Sequence, residues 1–400
     1  MVEYLKNEYL DRMKNYLNGD FDKYIHSFLE KEKHGVIINL EKLSKSDLSI
    51  NEIIHYFNLK IIYNDDNIFY ATYDKEELES KGIYIGKHPL HHAGLYYIQE
   101  PSAIKPMIEF PVEKNDVVLD MCASPGGKTI DALCKLCNEG FVVSNEIDYA
   151  RSKILLSNVE RMGFENIAVT CEEPRKLCQK FSGYFDKIII DAPCSGEGMM
   201  RKNIEARKQW SYDLVNKMAH IQKELLNIAY GMLKYGGKIL YSTCTFSKEE
   251  DEDNVKYIID LYSDLSLVKT EKIYPQDDIG EGQFYAILKK EGKDDFKNQP
   301  QKKDFNELNL LKYGVEKTEK KHSIVVPTHA ATHVDSILFE NSVELTYDDI
   351  VKYIHGDIVN VSSDYKSGFC KVTYRKMGIG LGKIVNGTLK NHYPKGLRNI

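Results

Sequence analysis

The sequence predicts an α/β protein built around an open and mostly parallel β-sheet. Short apolar runs alternate with longer amphipathic segments from about residue 110 to residue 290, which is the pattern of strands joined by helices. A glycine turn, Gly126-Gly127, follows the first of these apolar runs, and other distinctive motifs follow later runs. Because such sheets bind ligands at the carboxyl ends of their strands, these motifs are expected to form a single site.

The elements of the predicted sheet follow one another in a regular order. Strands are expected at 117–121, 141–144, 167–170, 184–190 and 236–242, with two last strands at 265–269 and 283–290. Helices are expected at 127–137, 149–162 and 211–233, and an acid-rich helix is expected to begin near Lys248.

The segments on either side of this sheet have a different character. Up to about residue 60 the chain is expected to be helical, since Tyr9, Met13 and Leu17 recur at helical spacing, and short apolar runs with turns follow to residue 100. Residues 291–321 carry eight lysines and seven acidic residues, which predicts a linker or an exposed helix. Residues 322–400 return to short β-like runs with glycines and are expected to form a separate small domain.

Length and composition narrow the class of protein. A chain of 400 residues, with 42% hydrophobic and 28% charged residues, is typical of a globular protein of two or three domains. No apolar run approaches the length of a membrane span, and the N-terminus lacks the basic start and apolar stretch of a secretory signal. Eight cysteines in 400 residues are too few for a disulfide framework. We therefore expect a cytoplasmic protein, without membrane contact and monomeric.

The charge distribution bears on nucleic-acid binding. The net charge of −6 argues against it, but residues 371–400 contain five lysines and two arginines and no acidic residue. Tyr374, His392 and Tyr393 are interleaved with these cations, so this stretch is either a solvated face or an RNA-facing surface. Another cluster, His88, His91 and His92, has no cysteine or acidic partner at ligand spacing, and no metal is expected.

The glycine turn and the acids beyond it indicate a cofactor site. Gly126 and Gly127 allow close approach to a ligand, and the helix that follows offers free N–H groups to a phosphate or a carboxylate. A phosphate-binding loop requires glycine where this chain has Cys122, which argues against an ATPase. Glu146, after the second strand, is the candidate for ribose hydroxyls, while Asp148 is expected to cap a helix. After the third strand either Glu172 or Glu173 is the candidate near an adenine, and Glu173 is preferred.

Two cysteines follow the fourth and fifth predicted strands. Cys194 lies in Asp191-Ala-Pro-Cys-Ser, and Cys244 lies in Tyr241-Ser-Thr-Cys-Thr. This arrangement suits methylation of a pyrimidine carbon, in which a thiolate adds to C6 and makes C5 nucleophilic. Asp191 is well placed to hold the N3 edge of the base. The residues alone do not determine which of the two cysteines attacks.

These three motifs together resemble the NOL1/NOP2/Sun family of RNA cytosine-C5 methyltransferases, and the resemblance extends from about residue 95 to residue 400. It implies a Rossmann-like S-adenosylmethionine-dependent methyltransferase domain at 101–290. It also implies that Cys244 is the nucleophile, that Cys194 assists release and that Asp191 takes part in catalysis. The implied S-adenosyl-L-methionine site consists of Cys122, Ala123, Ser124, Pro125, Gly126, Gly127, Lys128, Glu146, Glu173 and Asp191.

The resemblance also suggests a substrate. The segment Gly382–Arg398 is similar to the PUA-like RNA-binding tail of bacterial members that act on small-subunit ribosomal RNA. It implies methylation of cytidine in 16S ribosomal RNA, with RNA contacts from residues 1–100, from the loop at Arg201-Lys202 and from the domain at 322–400. The partner would be ribosomal RNA or the small ribosomal subunit. A transfer RNA substrate, and a non-catalytic RNA-binding assembly factor, remain alternatives.

Overall fold

The computed structural model describes residues 3–277, 279–294, 298–321 and 324–398. Residues 295–297 of the predicted linker and residues 399–400 of the basic tail lie outside these ranges. The predicted fold class is confirmed, because a large mixed sheet with helices lies between an N-terminal α+β unit and a β-rich C-terminal unit. None of the helices in the described ranges combines the length and the hydrophobicity needed to cross a bilayer.

The N-terminal unit contains an antiparallel sheet with the strand order β2-β3-β1-β4. The prediction that the chain is helical to about residue 60 is therefore wrong at His34–Asn39, because the β-branched run Val36-Ile37-Ile38 is buried in a strand, whereas helices return within residues 40–56. The elements of this unit are α1 Asn7–Leu17, α2 Phe21–Ser27, β1 His34–Asn39, α3 Leu40–Ser44, α4 Ile50–Tyr56, β2 Lys60–Asn64, β3 Ile68–Tyr73, α5 Lys75–Ser80, α6 Pro89–His92 and β4 Tyr96–Gln99.

The central sheet has the order β10-β11-β9-β8-β5-β6-β7-β12 within the described ranges. Neighbours from β9 to β7 in this order are parallel, and β11, β10 and β12 run antiparallel to their neighbours. The elements are α7 Pro101–Glu109, β5 Val117–Asp120, α8 Gly127–Leu136, β6 Phe141–Asn145, α9 Tyr149–Met162, β7 Ile167–Thr170, α10 Pro174–Lys180, β8 Phe185–Asp191, α11 Ile204–Gln209, α12 Tyr212–Met232, β9 Leu233–Thr243, α13 Glu252–Leu261, β10 Leu265–Ile273, β11 Gln283–Lys290 and β12 Leu310–Tyr313.

The strands and helices predicted for this sheet are confirmed, with two differences. The segment at 291–321 was expected to be a linker or an exposed helix, but β12 within it pairs with β7 and extends the sheet. Leu310 and Tyr313 pack on the core and Lys312 forms an ion pair with Glu160, so a short amphipathic strand lies among the charges. The acid-rich helix begins at Glu252 rather than near Lys248.

The C-terminal unit shares a hydrophobic core with the N-terminal unit. Val343, Ile350 and Tyr353 belong to the same buried cluster as Phe57 and Leu90, so these two ends of the chain pack together. The sheet has the order β15-β17-β18-β19-β16. The elements, with a preceding hairpin, are β13 Thr318–Lys321, β14 Ile324–Pro327, β15 Ser342–Glu344, α14 Tyr347–His355, β16 Val359–Asn360, β17 Gly368–Tyr374, β18 Met377–Val385 and β19 Thr388–Asn391.

The basic tail is only partly available to a ligand. Tyr393 is buried, its hydroxyl lies 2.7 Å from Nδ1 of His92, and it therefore packs between units instead of presenting a ring to solvent. Lys371 and Arg375 form ion pairs with Asp335 and with an aspartate of the N-terminal unit. By contrast, the structure leaves Lys376, His392, Lys390 and Lys395 exposed.

Candidate active site

The glycine turn lies between β5 and α8 at the carboxyl edge of the sheet. Gly126 has φ 118°, a conformation that favours glycine, and no side chain caps the first turn of α8. A Cβ on Gly127 would lie 2.7 Å from the Gln99 amide nitrogen, so β4 of the N-terminal unit closes one side of the turn. Arg151 donates to the Ser124 carbonyl at 2.9 Å and supports the other side. The N–H groups at this helix start are consequently available to an anionic ligand.

The predicted acids occupy the ends of the neighbouring strands. Glu146 is buried at the end of β6, where it accepts from the Asp148 backbone N–H at 3.1 Å, and Asp148 caps α9 as expected. After β7, Glu172 is buried and its carboxylate accepts from the Glu173 and Asn309 backbone N–H groups at 2.9 and 3.2 Å. Glu173 is exposed at the same edge. Glu172 therefore serves the local backbone, and Glu173 is the acid that can face a ligand.

Asp191 is held by three side chains at the end of β8. Its Oδ2 lies 2.8 Å from Nζ of Lys128, which is itself buried in the first turn of α8. Its Oδ1 accepts from the Ser242 hydroxyl at 2.8 Å and from the Gln283 amide at 3.5 Å. The carboxylate is thus ion-paired and fixed between the glycine turn and the cysteine-bearing loops.

The two cysteines come together from different loops. The Cys194 and Cys244 sulfur atoms lie 3.3 Å apart, both are free thiols, and both are partly exposed. The loops are also joined by the Gly198 backbone N–H, which donates to the Cys244 carbonyl at 2.9 Å. The site thus presents two thiols to a substrate beside the ion-paired Asp191.

The surroundings of Cys194 favour its protonated form. The contact with Cys244, followed by burial and by the electrostatic influence of Cys244 and of Glu250, raises the pKa of the Cys194 thiol well above its ordinary value. Cys194 therefore remains protonated at neutral pH and can donate its S–H to the Cys244 sulfur.

Buried acids behind the cysteine loops were missed by the sequence analysis. Glu197 accepts from the Trp210 indole at 2.7 Å, from the Ser247 hydroxyl at 2.6 Å and from the Phe246 backbone N–H at 2.9 Å. Glu250 binds the backbone next to Cys194. In the sequence these acids resemble ordinary solvated carboxylates, and no local signal separates them from their exposed neighbours.

Helices α1 and α2 form a pad under the same loops. The pad consists of Tyr9, Met13, Leu17 and Tyr24, which pack against Met200, Trp210, Val215 and Phe246. Arg12 on α1 forms an ion pair with Glu249, which lies in the turn before α13. The N-terminal helices thus support both cysteine-bearing loops directly.

Other expectations are corrected by the structure. Arg201 was expected to contact an RNA backbone, but its side chain is buried and its Nε lies 3.3 Å from a Glu281 carboxylate oxygen. Lys202, beside it, is exposed. Burial raises the pKa of the Cys122 thiol, so this cysteine of the turn is not a reactive group.

Each of the three units matches a family of known proteins. Residues 107–299 match the family described as 16S rRNA methyltransferase RsmB/F, residues 5–101 match the N-terminal domain of 16S rRNA methyltransferase RsmF, and residues 340–399 match the methyltransferase RsmF PUA domain. The chain belongs to this family.

Relatives and solved structures agree with this membership. The chain is 31% identical over 299 residues to ribosomal RNA small subunit methyltransferase F of Aliivibrio fischeri, covering 70% of this chain and 62% of that protein. It is 36% identical over 235 residues to the protein of the same name from Psychromonas ingrahamii, covering 54% and 49%. The chain therefore spans about half to three fifths of the length of these relatives.

Two archaeal structures share the fold. A structure of NSun6 from Pyrococcus horikoshii with SFG has a TM-score of 0.60 at 19% identity and covers 73% of this chain and 100% of its own. A methyltransferase homologue from Pyrococcus horikoshii has a TM-score of 0.59 at 22% identity and covers 70% and 93%.

The family uses S-adenosylmethionine, and the residues at the carboxyl edge fit this molecule. Asp120, at the end of β5, is buried with one oxygen, Oδ1, lacking a hydrogen-bond partner, so it can accept from the methionine ammonium group. The free N–H groups of α8 suit the methionine carboxylate. The Glu146 carboxylate, which is buried at the same edge, can accept from hydroxyl groups.

Proposed function

We propose that this protein methylates C5 of cytidine in small-subunit ribosomal RNA, with S-adenosylmethionine as methyl donor. The observation that carries the proposal is the contact between two free thiols, whose sulfur atoms lie 3.3 Å apart. Methylation at a nitrogen would have no use for such a pair. The family membership and the ion-paired carboxylate beside the thiols support the same reaction.

Cys244 is the proposed nucleophile. The Cys244 thiol loses its proton to water, its sulfur adds to C6 of the cytosine, and the electron pair of the C5–C6 double bond moves onto C5 and N3. The Lys128 ammonium lies beside Asp191 and can balance the negative charge that develops on the ring, while the Asp191 carboxylate can accept from the exocyclic amine. S-adenosylmethionine, when bound, supplies the methyl group that C5 takes up.

Release restores the aromatic ring. The C5 proton passes to water, the C5–H electron pair re-forms the C5–C6 double bond, and the C6–sulfur bond breaks so that Cys244 leaves as a thiolate. The Cys194 thiol can donate its S–H to the departing sulfur, which lowers the cost of placing negative charge there. This division of labour assigns attack to Cys244 and release to Cys194.

The cofactor-binding set is proposed as Cys122, Ala123, Ser124, Pro125, Gly126, Gly127, Lys128, Glu146, Glu173 and Asp191. The start of α8 at Gly126, Gly127 and Lys128 supplies backbone N–H groups, and Glu146 supplies a carboxylate for the ribose. Lys128 acts through its ion pair with Asp191, and its buried position supports that assignment.

The flanking units are proposed to position the RNA. We divide the chain into an RNA-contacting region at 1–100, the methyltransferase domain at 101–290, the connection at 291–321 and a PUA-like RNA-binding domain at 322–400. The match to the RsmF PUA description and the exposed Lys390 and Lys395 support an RNA-binding role for the last domain. We also propose that the protein is a cytoplasmic monomer and that it acts on ribosomal RNA or on the small ribosomal subunit.

The decisive experiment is bisulfite sequencing of ribosomal RNA from a strain that lacks this protein. We expect at least one 16S cytosine to lose its mark and to regain it when the wild-type gene, but not a Cys244→Ala variant, is restored. An unchanged 16S pattern would contradict the proposal. Loss of a mark in transfer RNA would instead identify that class as the substrate, and loss in neither would favour a non-catalytic assembly role.

A further inference from the structure

A buried carboxylate joins the two cysteine-bearing loops from behind. Glu250 is fully buried in the turn before α13, six residues after Cys244. Its Oε2 accepts from the Ser195 backbone N–H at 3.0 Å, and its Oε1 accepts from the Ser195 hydroxyl at 2.5 Å. Both oxygens therefore bind the residue that directly follows Cys194.

A second side chain fixes the peptide on the other side of Cys194. The Gln222 amide, on α12, donates to the Pro193 carbonyl at 2.8 Å and to Glu250 Oε2 at 2.9 Å. Asn254 on α13 donates to the Gln222 oxygen at 2.9 Å and is itself buried. The backbone before and after Cys194 is thus held by one connected and buried network.

The same network reaches the loop of Cys244. The Ser195 and Thr245 hydroxyls, each one residue beyond a cysteine, lie 2.8 Å apart. The Glu250 main-chain carbonyl accepts from the Tyr241 hydroxyl at 2.5 Å, three residues before Cys244. Glu250 consequently holds both loops and, through them, the contact between the two sulfur atoms.

The charge of Glu250 also bears on the state of Cys194. Its negative charge is among the causes that raise the pKa of the Cys194 thiol, after the contact with Cys244 and burial. A neutral group at position 250 would reduce this effect. The carboxylate therefore helps Cys194 to retain the proton that the proposed release step uses.

We propose that Glu250 is a positioning residue for release: it holds the Cys194 S–H against the Cys244 sulfur and so speeds departure of the methylated base. This inference rests on the proposed function. Glu250 does not touch the substrate, and it acts through Cys194. Its effect should therefore appear in the lifetime of the covalent RNA adduct and vanish when Cys194 is absent.

The first test uses Glu250→Gln in the full chain, with Asp253→Asn as matched control. Asp253 lies on α13 with its side chain 49% exposed, so its substitution should change nothing. A glutamine oxygen cannot accept from all three donors that converge on Glu250. Since a hydrogen bond to a charged group is worth on the order of tenfold in a rate, we expect the adduct with a 16S transcript to persist about tenfold longer.

The double variant decides between positioning and general structural support. Glu250→Gln added to Cys194→Ala should change the adduct lifetime less than about twofold, because the interaction it serves is already gone. Ser195→Ala, which removes only one donor, should lengthen the lifetime in the same direction but less. An additive effect in the double variant, or equal slowing of adduct formation and release, would overturn the proposal.

The second test needs no RNA and so separates this inference from the proposed reaction. In a Cys244→Ala background, alkylation of Cys194 by iodoacetamide is followed against pH. Glu250→Gln should shift this profile to lower pH and raise the alkylation rate at pH 8 several-fold, whereas Asp253→Asn should leave it unchanged. An identical profile with Glu250→Gln would contradict the assigned role. Failure of any variant, wild type included, to form an RNA adduct would count against the proposed function alone.

Discussion

The sulfur atoms of Cys194 and Cys244 lie 3.3 Å apart, although the two residues are separated by fifty positions. Two adjacent parallel strands, β8 and β9, end side by side and bring their following loops together. The close contact means that one thiol can donate to the other, as the proposed division between attack and release requires.

The first prediction concerns those roles. Cys244→Ala should abolish methyl transfer, because it removes the proposed nucleophile. Cys194→Ala should still form the covalent adduct and should accumulate it, because release loses its S–H donor. Denaturing gels with labelled transcript measure both. Cys178→Ala, on α10, is the control and should behave as wild type. Reversed outcomes for the two cysteines would exchange their assignments.

The second prediction concerns the Lys128–Asp191 ion pair. Lys128→Met should lower the single-turnover rate of methyl transfer by about 10²–10³-fold, since one preorganised charge beside the reacting ring is lost. The matched control is Lys187→Met, which breaks a buried pair with Asp116 near the opposite ends of the strands, 2.9 Å apart. Lys187→Met should lower the stability of the protein but leave the single-turnover rate of methyl transfer by the folded protein unchanged. Equal rates in the two variants would contradict a catalytic role for Lys128.

The third prediction concerns pH and Asp120. Burial raises the pKa of Asp120 to about 7, against the opposing hydrogen bond from Thr129. The folded protein therefore keeps a proton that the unfolded chain releases near pH 4, and the free energy of unfolding falls as the pH rises from about 4 to about 7.

Asp120→Asn removes this fall of the free energy of unfolding with rising pH. The difference between the free energies of unfolding of the variant and of wild type should therefore shift in favour of the variant by on the order of 2 kcal/mol from pH 5 to pH 8, measured by urea unfolding. Burial raises the pKa of Glu250 to about 7 as well, so part of the slope should remain in the variant. Parallel stability curves for the two proteins would show that Asp120 does not titrate in this window.

The fourth prediction concerns the N-terminal helices. Arg12→Met removes the ion pair with Glu249 beneath the Cys244 loop and should cost about 1–3 kcal/mol in stability, with a several-fold lower rate of methyl transfer. Lys23→Met, which breaks an exposed pair with Asp20 on the adjoining segment, should change neither quantity. If Arg12→Met lowered the stability as expected without any change in the rate of methyl transfer, the pad would not contribute to catalysis.

The fifth prediction concerns cofactor binding. Glu146→Ala should weaken S-adenosylmethionine binding by about tenfold or more in calorimetry without RNA, because a buried carboxylate for the ribose is lost. Asp148→Asn retains a helix cap and should bind the cofactor as wild type does. Unchanged affinity in Glu146→Ala would remove that residue from the proposed set.

Local patterns predicted the central sheet well and its surroundings less well. Val117–Asp120 and Ile167–Thr170 are short apolar runs, and their strand conformation can be predicted from their own residues. The strand at Leu310–Tyr313 was missed because its charged flanks hide an amphipathic run that becomes a strand only beside β7. The strand at His34–Asn39 was missed because helical spacing before it was extended too far.

By itself, the sequence determined the strand–helix order, the glycine turn and the presence of two cysteines just after successive strands, because periodicity and turn chemistry are local properties. Only the tertiary structure decided that Lys128 pairs with Asp191, that Glu250 is buried while Glu252 is not, and that the sulfur atoms of Cys194 and Cys244 lie in contact. The state of a charge depends on the groups that surround it in space. For this site those groups come from strands and helices far apart in the chain.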